Sequence, residues 1–127
     1  MNKTAPLSLA EAFQTLVFEP SRSPESEDIA HAFCELSQYR DGAIYLGHWA
    51  GRSEWEKHPE GDEIVMVIEG ETTLSLLHNG EEVPNTLKAG QILVVPQNTW
   101  HRFETPSEVK VLTVTPQPTL HSVERPE

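Results

Sequence analysis

The chain has 127 residues, with 20 acidic and 9 basic side chains and a net charge of −11. That length supports one hydrophobic core but not two, and the charge argues against nucleic acid or anionic membranes as partners, because phosphates are repelled. A single cysteine, Cys34, excludes an intrachain disulfide and a four-cysteine zinc site. No stretch approaches a membrane span and residues 1–13 lack the apolar core of a signal peptide, so the expectation is a soluble, cytoplasmic protein.

In chain order, Ser8 and Glu11 stand at capping-box spacing ahead of Ala12, Phe13, Leu16 and Val17. This predicts a short amphipathic helix over about 9–16, ended by Pro20. Residues 21–28 (SRSPESED) are polar without an apolar period and read as a loop. From residue 29 the pattern turns to strands, although 30–36 is equally compatible with a helical turn. Asp41-Gly42 marks a hairpin between two strand-like runs. Strands are then expected over 44–49, 54–58, 63–69, 72–77, 83–87, 92–95, 101–104 and 109–115, with tight turns at Asn79-Gly80 and 96–99. The tail, with Pro116, Pro118 and Pro126, is expected to be extended, either frayed or laid on a partner chain. Together these signals predict one all-β domain spanning 1–127: an antiparallel sandwich or barrel core over about 29–115, a helical arm 1–28 and a tail 116–127.

Chemistry concentrates in residues 55–70 (WEKHPEGDEIVMVIEG). Glu56 and His58 are two apart, so in an extended strand both side chains leave on one face. A turn follows, and Glu63 opens an apolar run that stops at Gly70. A second stretch, 90–101 (GQILVVPQNTWH), ends in His101. If the two stretches are neighbours in space, Glu56, His58, Glu63 and His101 make a four-ligand site for a borderline divalent metal ion: Zn, Fe, Mn or Ni. Each assignment has an alternative. Glu56 can be a general base rather than a ligand, and His58 a solvated turn histidine. Glu63 can be a strand-end carboxylate, and Asp62 replaces it if the strand starts one residue earlier. His31, His48, His78 and His121 are expected at the surface or behind the ligands, with only His48 on a strand that can face a cavity. Cys34 is expected to be a small buried apolar residue.

Alternation also sketches the cavity. With Glu63 inward, Val65 and Val67 follow it, while Ile64, Met66 and Ile68 pack between sheets or at a subunit contact. Phe103 follows His101 inward, Ile44, Leu46 and His48 line the far wall, and Trp55 and Trp100 point away. The result is an apolar cup with a polar floor, suited to a small polar organic molecule. The pattern places no arginine or lysine inside, although Arg102 is adjacent, so a strongly anionic substrate such as a sugar phosphate is not favoured.

These two stretches resemble the two motifs of the cupin superfamily. The first runs glycine, five residues, His-x-His, three or four residues, Glu, six residues, glycine; His58, Glu63 and Gly70 keep its second half. The second runs glycine, five residues, Pro-x-Gly, two residues, His; Gly90, Pro96 and His101 match it. Three positions depart: Glu56 stands for the first histidine, Asn98 for the glycine, and Thr105 where an asparagine often closes the motif. The resemblance covers about 42–115 and implies a double-stranded antiparallel β-helix, an RmlC-like jelly-roll barrel, preceded here by a short N-terminal helix. It also implies a homodimer, which would protect unpaired edge strands. Two histidines and two glutamates around a divalent ion leave almost no net charge, so the expected centre is a weaker Lewis acid than one with three histidines. That favours isomerisation, hydrolysis or plain binding over dioxygenase chemistry. Two functions are expected: a metal-dependent enzyme acting on a small polar molecule, or a non-enzymatic module that binds a metabolite or metal.

Overall fold

A computed structural model describes residues 5–126; residues 1–4 of the expected arm and residue 127 of the tail lie outside the described residues. The elements in order are α1 (Leu9–Gln14), β1 (Glu19–Arg22), a 3-10 turn (Ala30–Ala32), β2 (Phe33–Tyr39), β3 (Gly42–Arg52) and β4 (Trp55–Lys57). They continue with β5 (Glu63–His78), β6 (Glu81–Lys88), β7 (Ile92–Val95), β8 (His101–Pro116) and β9 (Leu120–Ser122). The protein is thus all-β with one short helix, as expected.

Two 16-residue strands, β5 and β8, organise the rest. β8 pairs antiparallel with β3 over its second half and again at Glu104 and Thr105, and, through Glu56↔His101, with β4 at its start. It pairs with β5 along both halves, from Leu76↔His101 to Ile64↔Val114. A straight strand would separate His101 from Thr115 by about 45 Å, yet both touch Glu63. β8 therefore curls around the core. The ladders skip residues 106–108, where the strand bends.

β5 carries a corresponding break. Glu63, Val65 and Val67 are buried before it, and Thr72 and Leu74 after it, so the inward face changes from odd to even positions. An inserted residue does this, because side chains alternate with a period of two. The break centres on Gly70, whose φ is +79° and whose missing Cβ would lie 2.1 Å from the Glu108 carbonyl oxygen. This is why the sequence pattern reads as two strands, 63–69 and 72–77, where the structure has one.

The main core gathers Trp49, Val65, Val67, Leu74, Leu87, Val95, Phe103, Val109 and Val111. A second cluster lies on the outer face of β2 and β3, where Phe13 of α1 meets Leu36 and Leu46, flanked by Ile44, Ile68 and Leu112. The Ser8 side chain accepts the Glu11 N–H at 3.1 Å, so the capping signal is borne out. Asn79 (φ 52°) and Gly80 (φ 78°) form the expected tight turn, and Asn98 (φ 63°) takes the left-handed backbone expected of the residue standing for glycine.

Several expectations are corrected. The stretch read as a loop contains part of β1, which runs parallel to β3, with Glu19 opposite Trp49 and Arg22 opposite Gly51. Pro20 sits in this outer strand, where a missing N–H is tolerated. The tail is not frayed: β9 pairs with β4, with Glu56 opposite His121. Ile44 packs in the second cluster and His48 bonds Glu108 at 2.5 Å, so neither joins the far wall. Leu46 borders the cavity as expected, although it also packs in the second cluster, and Tyr45, Gly47 and Trp49 line the wall with it. Cys34 is half-buried rather than buried. Among the described residues, no helix is long and apolar enough to cross a membrane.

Replacing Gly70 by alanine forces a side chain into a left-handed position against a carbonyl. The expected loss is about 1–3 kcal/mol, read as a lower urea midpoint with an unchanged denaturant slope; an unaltered midpoint would show that the break relaxes freely.

Candidate metal centre

β4, the β5 entry and the β8 entry meet at one end of the core. His58 directly follows β4, and Asn98 N–H donates to its carbonyl oxygen at 2.9 Å, tying the turn 96–99 to the connection between β4 and β5. Gln97 reinforces this tie: its N–H donates to Asp62 Oδ1 at 2.7 Å and its side-chain amide to the Pro59 carbonyl at 2.7 Å. Asp62 is thereby engaged in the turn, and Glu63 alone of the two acids turns inward.

His58, Glu63 and His101 are 3 %, 4 % and 0 % exposed. His58 Nε2 lies 3.3 Å from Glu63 Oε2, and His101 Nε2 lies 3.1 Å from Glu63 Oε1. One ligand atom from each lies within 4.8 Å of the other two. Despite these short distances the contacts miss hydrogen-bond geometry, and His58 Nε2, Glu63 Oε1 and His101 Nε2 have no hydrogen-bond partner. Three unpartnered buried polar atoms converging on one point are costly unless something binds them all. A divalent cation meets that requirement, taking imidazole nitrogen and carboxylate oxygen together.

The outer contacts orient the donors. His101 Nδ1 lies 2.9 Å from the Thr99 carbonyl oxygen, which can only accept. Nδ1 therefore keeps a proton, and whenever Nε2 is deprotonated His101 presents its lone pair inward. His58 Nδ1 lies 3.0 Å from Thr119 Oγ1, in the segment before β9. Thr115 Oγ1 donates to Glu63 Oε2 at 2.6 Å and sits 2.9 Å from Thr113 Oγ1. Sequence reasoning overlooked these threonines. Thr113 and Thr115 had a signal, since they share the alternating face of Val109 and Val111; Thr119 had none.

Glu56 falls outside the close group and lines the cavity beside it, with its side chain 20 % exposed and its Oε2 3.7 Å from His121 Nδ1. Burial and the neighbouring Glu63 charge push its pKa upward, against the pull of Arg22 and the histidines. His121 holds Glu54 at 2.6 Å on the same wall. The cavity has a volume of about 550 Å³ and is lined on its apolar side by Ile29, Phe33, Trp49, Phe103 and Val111. Val65 and Val67 are buried and Phe103 lines the cavity, as alternation predicted, and neither Trp55 nor Trp100 does. Arg22 also lines it, contrary to the expectation that no cation faces inward. Arg102 instead bonds Glu82 at 2.9 Å, outside the cavity lining.

A chain curling around a buried His–Glu–His group is the arrangement that the two motifs anticipate, and residues 48–115 match the family described as Cupin_2, Cupin domain. The chain belongs to the cupin family. It is 33 % identical over 72 residues to the uncharacterized protein YdbB of Bacillus subtilis (strain 168), a match over 57 % of this chain that spans only 61 % of that relative's length. A cupin-2 domain containing protein from Shewanella frigidimarina has a similar structure, with TM-score 0.57 and 24 % identity over 67 % of this chain and 79 % of that one. Hydroquinone 1,2-dioxygenase PnpCD, solved with Cd2+ and 4-hydroxybenzonitrile, gives TM-score 0.58 at 18 % identity over 66 % of this cupin and 63 % of the other chain. Both structural likenesses are likenesses of fold.

The metal-free cupin should show a defined pH response. Burial pushes the Glu63 pKa up, but the imidazoles of His101 and His58 more than offset it and hold it at about 2, below the ordinary 4.5. Its contribution to stability is complete above 4.5 and is lost as pH falls toward 2. For His101, burial lowers the pKa and contact with Glu63 raises it further, to above the ordinary 6.5. That contribution is complete below 6.5 and is lost as pH rises through the elevated value. Both describe one ion pair, counted once. Urea midpoints of chelator-treated protein should therefore peak between the ordinary values of 4.5 and 6.5; a midpoint that keeps rising into the alkaline range would contradict the charged pair.

Proposed function

We propose that this cupin binds a divalent metal ion through His58, Glu63 and His101 and holds a small polar organic molecule beside it in the cavity. The observation that carries this reading is the convergence of three unpartnered, buried donor atoms at the cavity edge. When bound, the ion supplies a Lewis acid that polarises an oxygen of the ligand. Zn, Fe, Mn and Ni all accept this donor set. With Glu56 outside the group, two neutral imidazoles and one carboxylate leave the centre a net positive charge.

The chain's own residues do the rest. Thr99 and Thr119 orient the imidazoles, Thr115 holds the Glu63 carboxylate, and Phe33, Phe103 and Val111 present apolar surface to the ligand. Glu56, adjacent but not coordinating, is placed to take up or return a proton at its carboxylate, which makes the reading an enzyme rather than a passive module. The expected homodimer belongs to this proposal. Ile64, Ile92 and Val94 are 36 %, 59 % and 49 % exposed on the neighbouring strands β5 and β7, and a second copy would cover them. A reducing cytoplasm suits the unpaired Cys34.

Elemental analysis of protein purified without added metal should find a divalent first-row metal. His58→Ala and His101→Ala should each weaken zinc binding by more than the roughly 10- to 100-fold typical of losing an outer-shell partner. Glu56→Gln should weaken it by less and instead reduce turnover of any substrate found. Equal zinc affinity in wild type and His101→Ala would end the metal reading. A Glu56→Gln loss as large as that of His58→Ala would make Glu56 a fourth ligand. Metal-loaded protein that binds metabolites without turning any over would favour the binding module.

A further inference from the structure

Arg22 has no place in the metal chemistry, yet it lines the same cavity as His58 and Glu63. It reaches there from the last residue of β1, whose parallel register sets it opposite Gly51. Its guanidinium lies over two aromatic rings, 4.5 Å from Trp49 and 5.0 Å from Phe33. Among the described residues it forms no ion pair within 4.0 Å and no side-chain hydrogen bond. The acids nearest in field, Glu54 and Glu56, are directed elsewhere: both face His121, whose Nδ1 lies 2.6 Å from Glu54 and 3.7 Å from Glu56. Burial lowers the pKa of Arg22, but a guanidinium stays charged in a protein.

We propose that Arg22 is the anchor for a carboxylate, so that the cavity's ligand is a small organic monoanion with an apolar body. The guanidinium's planar fork of donors matches a carboxylate, and stacking on Trp49 leaves those in-plane donors free. Arg22 is the only Arg or Lys among the lining residues, which also include Glu27, Glu54, Glu56 and Glu63. The guanidinium can pair directly with one carboxylate, and among four acids no second Arg or Lys is present to offset a phosphate dianion. The apolar body is set by Ile29, Phe33, Phe103 and Val111. This identifies the ligand class of the proposed site, and it rests on that reading only in taking this cavity as the ligand site, not on the metal.

The alternative is that Arg22 merely clamps β1 onto Trp49, and the experiment separates the two. The full chain, first chelator-treated and then zinc-loaded, is titrated calorimetrically with benzoate, hexanoate, benzamide, hexanamide and inorganic phosphate. Expected is that at least one carboxylate binds about tenfold or more tighter than its amide, and tighter than phosphate. Arg22→Gln should abolish that preference while leaving amide binding and zinc uptake unchanged; Arg22→Lys, which keeps the charge without the fork, should retain part of it. Should Arg22→Gln fail to fold, the wild-type comparison and Arg22→Lys still decide. The proposal is overturned if neither acid binds, if acid and amide bind alike, if phosphate binds tightest, or if the preference survives in Arg22→Gln. Failure of the metal reading looks different: wild type takes up no zinc while the carboxylate preference persists.

Discussion

A buried carboxylate between two buried imidazoles is the constraint on which this protein turns. Glu63 sits in the continuous inward row that also holds Val65 and Val67, where an unpaired charge would be severely destabilising. The fold answers with three independent groups: His101 from the start of β8, Thr115 from its end, and His58 from the close of β4. No single hairpin could bring these together. The curl of β8 and the break in β5 are thus tied to the site, because they return Thr115 to the strand entry that His101 also reaches. A proton on His101 and a metal ion are alternative partners for the same carboxylate, so metal occupancy and protonation must be linked.

Much of this was legible in the residues, for a physical reason. His58, Glu63 and His101 lie at strand ends next to turns whose chemistry is local: Asn98 adopts the left-handed backbone, and Asn79-Gly80 closes the hairpin that returns β5 into β6. Local signals of that kind survive folding. The inward placement of Val65, Val67 and Phe103 followed from alternation alone. Alternation failed where the chain leaves its period. Nothing in the residues near Gly70 says that 63–69 and 72–77 are one strand, because the joint is defined by the close approach of the Glu108 backbone, 38 positions along. On β3 the placement of Ile44 was assigned oppositely because α1 supplies a second apolar partner, packing Ile44 and Leu46 on the outer face.

Arg22 and β9 were missed for a different reason. Both belong to short segments whose extended form is imposed by a neighbour: β1 borrows its ladder from β3, and β9 from β4. The run Glu19-Pro20-Ser21-Arg22 carries neither β-branched residues nor alternation, and its proline argues for a loop. Such strands exist only because the sheet beside them is already built, so propensity has nothing to report.

The wrong inference about cations shows how total charge and local field separate. A net charge of −11 describes how the surface meets distant partners through screened water. It does not describe a cavity, where a few groups at short range dominate. Arg22 is held by ring faces rather than by a carboxylate, although Glu54 and Glu56 are close enough to stabilise its charge. A salt bridge would fix the guanidinium by consuming its in-plane donors; a ring holds it by the face and leaves them available. In an acidic chain, that is the way a cation can be kept inside a binding cavity without being neutralised by the protein's own acids.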